Sequence, residues 1–207
     1  MKTGVIGAGR IGTTLARLLA VAGHEVRIAN ASGGERLAAL VAELGPAASA
    51  GSAEQVAREA DLVVLMVPFG SARTLLPPTS VSGKVLVDAM NAFAEGGVPL
   101  DLGGRGSSEL VAEWYPSARL VKSLNTMYFK TLGTAGRTDV EPAERLAHYV
   151  AGDDPGANKT VVDLIYELGF APVATGSLRT GGLLQQPGGP LFNKPLTERQ
   201  SRAVLGF

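Results

Sequence analysis

The N-terminal glycine motif constrains the fold of this chain more than any other feature. It follows an apolar run at residues 2–6 that predicts a β-strand, and an Ala- and Leu-rich stretch at residues 13–21 predicts a helix behind it. In a strand–turn–helix context, three glycines allow the tight turn, the approach of a pyrophosphate and close helix–strand packing. The motif therefore predicts a dinucleotide site; the alternative is a glycine-rich structural turn. The motif residues are Gly7, Ala8, Gly9, Arg10, Ile11 and Gly12.

Composition narrows the class of protein. The 207 residues fit one large domain or a domain with a small appendage, and 45% hydrophobic content is typical of a globular core. Nineteen Lys and Arg residues balance 19 Asp and Glu residues, so no strong field would attract nucleic acid or an anionic membrane. The absence of cysteine excludes disulfides and thiolate chemistry, and no metal-ligand spacing is present. Charged residues interrupt the N-terminal apolar stretch, so we expect neither signal peptide nor membrane span, and a cytoplasmic location.

Short apolar runs alternate with helical stretches along the first half of the chain, which is typical of βαβ units. Helices are predicted at residues 35–44 and 108–114. This alternation of strands and helices predicts an α/β fold with a Rossmann-type doubly wound parallel sheet over residues 1–135. After the first strand, the predicted strands lie at residues 25–29, 48–50, 61–67, 84–87 and 119–121.

The last third of the chain predicts a small C-terminal α/β subdomain over residues 136–207. Glycine and proline between residues 130 and 142 predict a loop before it. The segment 176–195 is rich in Gly, Pro and Gln, and predicts either an ordered loop over a partner surface or a flexible lid. The predicted elements of the subdomain are strands at 148–152 and 172–174 and helices at 158–168 and 198–205, and Thr197 is predicted to cap the last helix.

The end of the second predicted strand bears on the choice of dinucleotide. An acidic residue there would bind a ribose 2′-hydroxyl and select NAD, but the residues after Ala29 are Asn30, Ala31 and Ser32. The missing negative charge favours NADP. Arg36 or Arg10 would supply the cation for its 2′-phosphate, unless Arg36 simply faces solvent on its helix.

Three later strand ends belong to the same predicted edge, because the carboxyl ends of parallel strands meet there. Pro68 either turns the chain beneath the nicotinamide ribose or merely ends its strand. Lys122 and Asn125 are the candidate catalytic residues, with a solvated strand end as the alternative for Lys122. Trp114 and Phe129 are expected in the core. The predicted nicotinamide side of the cofactor site comprises Val67, Pro68, Phe69, Ala89, Met90 and Asn91.

Several common catalytic patterns are missing from the sequence. There is no Ser-His-Asp arrangement and no Walker loop, and none of the four tyrosines has a lysine four positions later. Hydride transfer between two cofactors is compatible with this, because two flat redox rings need mainly to be stacked, oriented and kept dry.

Five segments together resemble the F420-dependent NADP reductases: GAGRIG at 7–12, DLVVLMVP at 61–68, VDAMN at 87–91, KSLNT at 122–126 and GFAPVATGSL at 169–178. The resemblance implies hydride transfer between NADP(H) and the deazaflavin coenzyme F420, in a homodimer. It places the dinucleotide on the glycine loop and the second-strand tip. It places the deazaflavin ring near Pro68, Asn91 and Asn125.

The chain departs from this resemblance at two places. Ala31-Ser32 stands where many relatives carry Ser-Arg, and the late pattern G-P-L-x-x-A-R-x-x-E has Ser177, Gly182 and Gln185 at its Pro, Arg and Glu positions. The acceptor pocket is therefore expected to be altered. One alternative is an NAD(P)H-dependent reductase of a small imine or carbonyl substrate, with Lys122 or Tyr128 as proton source. The other is a non-catalytic NADP(H) sensor.

Overall fold

The computed structural model describes residues 1–30 and 35–206 and contains an eight-stranded sheet flanked by helices. Its strands are β1 Lys2–Ile6, β2 Glu25–Ala29, β3 Ala48–Ala50, β4 Leu62–Leu65, β5 Val85–Asp88, β6 Arg119–Lys122, β7 Ala147–Gly152 and β8 Ala171–Gly176. Its α-helices are α1 Arg10–Val21, α2 Glu35–Leu44, α3 Ala53–Glu59, α4 Phe69–Ala72, α5 Ser107–Trp114, α6 Phe129–Thr134, α7 Pro155–Glu167, α8 Gly181–Gln185 and α9 Glu198–Leu205. Within this described part, no helix is long and apolar enough to cross a membrane.

The strand order is β3-β2-β1-β4-β5-β6-β7-β8, and the first six strands are parallel. The chain runs outward from β1 to β3 and then returns to place β4 beside β1. In doubly wound sheets, ligands bind outside the carboxyl ends of the strands at this reversal. The predicted Rossmann-type fold is confirmed, and the glycine motif lies at the reversal.

The two apolar layers of the core explain the uninterrupted hydrophobic run of β4. Leu62 and Val64 face one layer, which includes side chains of α1, α2 and α7. Val63 and Leu65 face the other layer, which includes side chains of α3 and α5. Because successive side chains of a strand point to opposite faces, a strand covered on both sides is apolar throughout.

The C-terminal segment extends the same sheet. β7 is antiparallel to β6, with Lys122 opposite Ala151, and β8 is parallel to β7. The predicted α/β elements are therefore present, and they continue the sheet of the N-terminal part. The division of the chain at residue 135 into two units stays a prediction. The capped terminal helix is confirmed, because the Thr197 side chain accepts a hydrogen bond from the Gln200 amide at the start of α9.

Several helices differ from the sequence prediction, which contained neither α4 nor α8. α3 was not predicted; it begins with a capping box in which Ser52 and Gln55 bond each other's backbone amides. The loop predicted from residue 130 is wrong over its first residues, because α6 continues to Thr134. Gly133 is tolerated there because α6 packs closely on α1: a Cβ on this glycine would lie 3.1 Å from the Thr14 side chain.

Candidate active site

The glycine turn has the geometry that a dinucleotide site needs. Gly7 has a φ of 121°, and a Cβ on it would overlap the carbonyl oxygen of Met66. A Cβ on Gly12 would overlap the carbonyl oxygen of Gly7, so α1 rests directly against the turn. At Gly9, by contrast, no other atom of the described chain lies within 4 Å of the added Cβ. This open space lies before the N-terminus of α1, where backbone N–H groups and the helix dipole favour a phosphate.

Arg10 lies on one particular side of this turn. Its guanidinium is 5.5 Å from the centre of the Phe129 ring, the first residue of α6. α6 and α2 flank α1 on opposite sides, since α2 follows β2 and α6 follows β6 on the same face of the sheet. Arg10 is therefore on the flank away from the β2 tip, which argues against the expected contact with a 2′-phosphate. Phe129 was expected in the core and is instead half-buried beneath the guanidinium.

The β2 tip is described only in part. Asn30 is half-buried and takes part in an interaction. Ala31, Ser32 and the Arg36 side chain lie outside the described residues. The preference for NADP at this tip therefore stays a prediction from the missing acidic residue.

The ends of β4 and β5 reach the same edge of the sheet as the glycine turn. Pro68 is exposed there and precedes α4. Phe69 was expected to contact the cofactor, but it is buried against the Trp114 ring, with 5.1 Å between ring centres. Met90 is buried in the same apolar layer and Ala89 in the opposite one, so segment 89–90 can meet a ligand through its backbone. Asn91 is half-buried at the edge.

A buried polar network holds the Met90 peptide on both sides. The Met90 amide donates to Asp88 Oδ1 at 3.0 Å, and Lys122 Nζ donates to the Met90 carbonyl oxygen at 2.5 Å. Lys122 Nζ also lies 3.3 Å from Asp88 Oδ2, which accepts a hydrogen bond from the Ser108 hydroxyl at 2.6 Å. The network thus fixes the segment that leads into Asn91.

Lys122 differs from both sequence expectations. Its side chain is 0% exposed, so it is neither a solvated strand end nor open to a substrate. Burial lowers the pKa of the Lys122 ammonium, and the neighbouring Asp88 carboxylate opposes that shift. The geometry gives Lys122 a positioning role at the β5 end.

Asn91 and Asn125 are brought together as the sequence analysis expects. The Asn91 Nδ2 donates to the Asn125 carbonyl oxygen at 2.9 Å, and the Asn125 Nδ2 donates to Asn91 Oδ1 at 3.0 Å. The preceding residue, Leu124, has a φ of 59°, a left-handed conformation that is uncommon for a side-chain-bearing residue. This turn directs the Asn125 side chain across to the β5 end.

The segment 176–195 lies over this edge and contacts three other parts of the chain. The Asn125 Nδ2 donates to the Gln185 carbonyl oxygen at 2.9 Å, and the Ser107 amide donates to Gln186 Oε1 at 3.2 Å. The Phe192 and Phe93 rings meet edge to face, 6.0 Å apart. Asp88 and Ser108 belong to the site although neither was predicted as a site residue; the polar residues in VDAMN were the available signal for Asp88. Gln185, which departs from the family pattern, contributes its backbone carbonyl.

The fold and the glycine turn define a dinucleotide-binding protein of the Rossmann class. A family model described as NADP oxidoreductase, coenzyme F420-dependent, matches residues 2–92. The crystal structure of the hypothetical protein SMa0349 from Sinorhizobium meliloti is similar, with 35% identity, 95% of each chain covered and a TM-score of 0.84. The chain belongs to this family of NADP-dependent oxidoreductases.

Two further structures are similar over most of the chain. A candidate F420-dependent NADP reductase from Arthrobacter sp. FB24 is 29% identical, with 86% of each chain covered and a TM-score of 0.70. An imine reductase from Myxococcus stipitatus is 17% identical with a TM-score of 0.65; all of this chain and 60% of that one are covered, so the likeness concerns the fold. No match is found among curated proteins.

Proposed function

We propose that this protein transfers a hydride between NADP(H) and coenzyme F420. The observation that carries the proposal is the family match over residues 2–92, the segment that contains the glycine turn and the ends of β4 and β5. The similarity to the candidate Arthrobacter reductase extends over 86% of both chains and supports the same acceptor.

The residues at the edge suit a reaction that needs orientation more than acid–base catalysis. Lys122 is enclosed, and Asn91 and Asn125 are engaged with each other. NADPH would supply the hydride, and the acceptor ring would need to lie flat against the nicotinamide. Under this proposal Gly9 and the α1 N-terminus hold the pyrophosphate, and the Asn91–Asn125 pair lines the place where the two rings meet.

A reductase of a small cyclic imine is the second candidate. Such a reaction needs a proton source, and Tyr128 is 51% exposed just after the KSLNT segment. The shared fold with imine reductases is compatible with this acceptor.

Steady-state assays with the purified protein test the proposal. F420 and 1-pyrroline would each be offered with NADPH and with NADH, and the wild type would be compared with Tyr128→Phe. We expect F420 reduction with NADPH that is insensitive to Tyr128→Phe. Turnover of 1-pyrroline alone, lost in Tyr128→Phe, would support the imine candidate; NADPH binding without turnover of either acceptor would contradict both.

A further inference from the structure

Two side-chain amide oxygens beside the proposed acceptor position have no hydrogen-bond partner among the residues that the structure describes. They are Asn125 Oδ1 and Gln185 Oε1, and both residues are at least 97% buried. The two residues are joined directly, because the Asn125 Nδ2 donates to the Gln185 carbonyl oxygen. The unpartnered oxygens therefore belong to one junction, where the end of β6 meets α8.

The hydrogen bonds around each amide fix which of its atoms is the unpartnered one. The Asn125 nitrogen faces two acceptors, Asn91 Oδ1 and the Gln185 carbonyl oxygen, so an inverted amide would oppose oxygen to oxygen. The Gln185 Nε2 donates at 3.1 Å to the Thr175 hydroxyl, whose own hydrogen is directed to backbone carbonyl oxygens. Both free atoms are therefore acceptors.

Such an arrangement is costly in a folded protein that has nothing to bind there. A buried acceptor without a partner loses its hydrogen bonds to water and gains none in return, and most buried polar side-chain atoms have partners. Here two neighbouring amide oxygens lack a partner, and a ligand with a hydrogen-bond donor could satisfy both.

Space for a ligand adjoins this junction on α8. Gly182 is buried, yet no atom of the described chain outside its own helix backbone lies within 4 Å of a Cβ added to it. Gly182 precedes Gln185 by three residues, so the two lie on the same face of the helix. A flat group placed over Gly182 would be next to the Gln185 side chain.

We propose that Asn125 and Gln185 bind an N–H donor edge of the acceptor molecule, a planar nitrogen heterocycle. This inference rests on the proposed function and specifies the group recognised. The N3–H of a deazaflavin and the N–H of a protonated cyclic imine are both hydrogen-bond donors on the edge of a planar ring. The ligand reaches the two oxygens when α8 separates from the β6 end, which breaks the Asn125–Gln185 hydrogen bond.

Calorimetric titration of the NADP⁺-loaded protein tests this recognition without requiring turnover. The first ligand pair is 5-deazariboflavin and its N3-methyl derivative, which lacks the donor. The second pair is protonated 1-pyrroline and N-methyl-1-pyrrolinium. Gln185→Met removes one oxygen at similar length. Gln186→Met is the matched control, because Gln186 contacts the Ser107 amide and contributes neither oxygen.

We expect the wild type and Gln186→Met to bind the N–H form of one pair about tenfold more tightly. Gln185→Met keeps the Asn125 oxygen, so we expect its preference to fall to about threefold. A preference confined to the pyrroline pair would uphold this pocket and contradict F420 as the acceptor. Equal binding of the two forms in both pairs by the wild type, or an N–H preference as large in Gln185→Met as in the wild type, would overturn the inference. A merely structural role of Gln185 would weaken both forms alike and leave their ratio unchanged.

Discussion

At the scale of single residues, two glycines of the turn have opposite surroundings. Gly9 faces open space in an extended conformation, whereas a Cβ on Gly12 would overlap the Gly7 carbonyl oxygen. We therefore expect a bound ligand to impose the requirement for glycine at Gly9, whereas the fold imposes it at Gly12.

Gly9→Ala is expected to keep the free energy of unfolding within about 0.5 kcal/mol while NADPH affinity falls about tenfold. Gly12→Ala is expected to lose about 3 kcal/mol or more, because α1 must move off the turn. Urea denaturation and NADPH titration of both variants check this. A Gly9→Ala protein that binds NADPH like the wild type would place the pyrophosphate elsewhere.

Lys122→Met is expected to lower the free energy of unfolding by about 3–5 kcal/mol, since it leaves the buried Asp88 carboxylate without its cation. The double variant Asp88→Asn/Lys122→Met is expected to recover part of that loss, because no buried charge remains. Urea denaturation of the two variants gives the comparison. A loss of less than about 1 kcal/mol in the single variant would contradict the enclosed ion pair.

The roles of some single residues could be predicted from the sequence, and those of others could not. Gly7 and Gly12 could be predicted, because their roles depend on neighbours within a few positions. The enclosure of Lys122 could not, since its partner Asp88 lies 34 positions away along the chain, and Ser108, which bonds Asp88, lies 20 positions from that carboxylate. For the same reason, the burial of Phe69 against Trp114 was not predicted.

At the scale of elements, α1 is flanked by α2 on the side of the β2 tip and by α6 on the other side. Arg10 stacks on Phe129 of α6. The side of α1 on which a cation lies decides which part of a bound dinucleotide it can reach.

Arg10→Ala is therefore expected to leave the ratio of NADPH to NADH affinity within about twofold of the wild type, whatever its effect on each nucleotide. Arg36→Ala is the comparison, because Arg36 is the other candidate cation for the 2′-phosphate, and contact with that phosphate would give a selective loss of NADPH affinity. Titration of both nucleotides gives the two ratios. A selective loss of NADPH affinity in Arg10→Ala would show that Arg10 reaches the 2′-phosphate.

The strands were the most predictable elements, since apolar runs between turn residues are strong local signals. α3 and α6 were less predictable for identifiable reasons. α3 is short and carries four charged or polar side chains among seven residues, AEQVARE. α6 contains Gly133, which suggests a loop until its packing on α1 is known.

At the scale of the whole molecule, the C-terminal part that completes the sheet encloses a titratable group. His148 on β7 is 0% exposed, its two ring nitrogens have no hydrogen-bond partner in the described chain, and its ring packs on Phe170. Burial lowers the pKa of His148 to about 4 from its usual 6.5.

Acidification should therefore destabilise the protein through this residue. Between the two pKa values the unfolded chain binds the proton and the folded chain does not, so stability falls as the pH drops through that window. We expect His148 to account for a loss of about 2 kcal/mol between pH 7 and pH 5. Urea denaturation at both pH values should show a correspondingly smaller loss in His148→Met; equal losses in both proteins would contradict the enclosed, neutral histidine.

The central claim is that this chain places a nicotinamide against an acceptor ring at the β4–β6 edge and transfers a hydride directly between them. A single turnover with enzyme in excess, using NADPH deuterated at C4 on each face in turn, tests it most directly. We expect deuterium from one face to appear in reduced F420 and none from the other. Deuterium lost to water, or NADPH that is bound and never oxidised, would exclude direct hydride transfer.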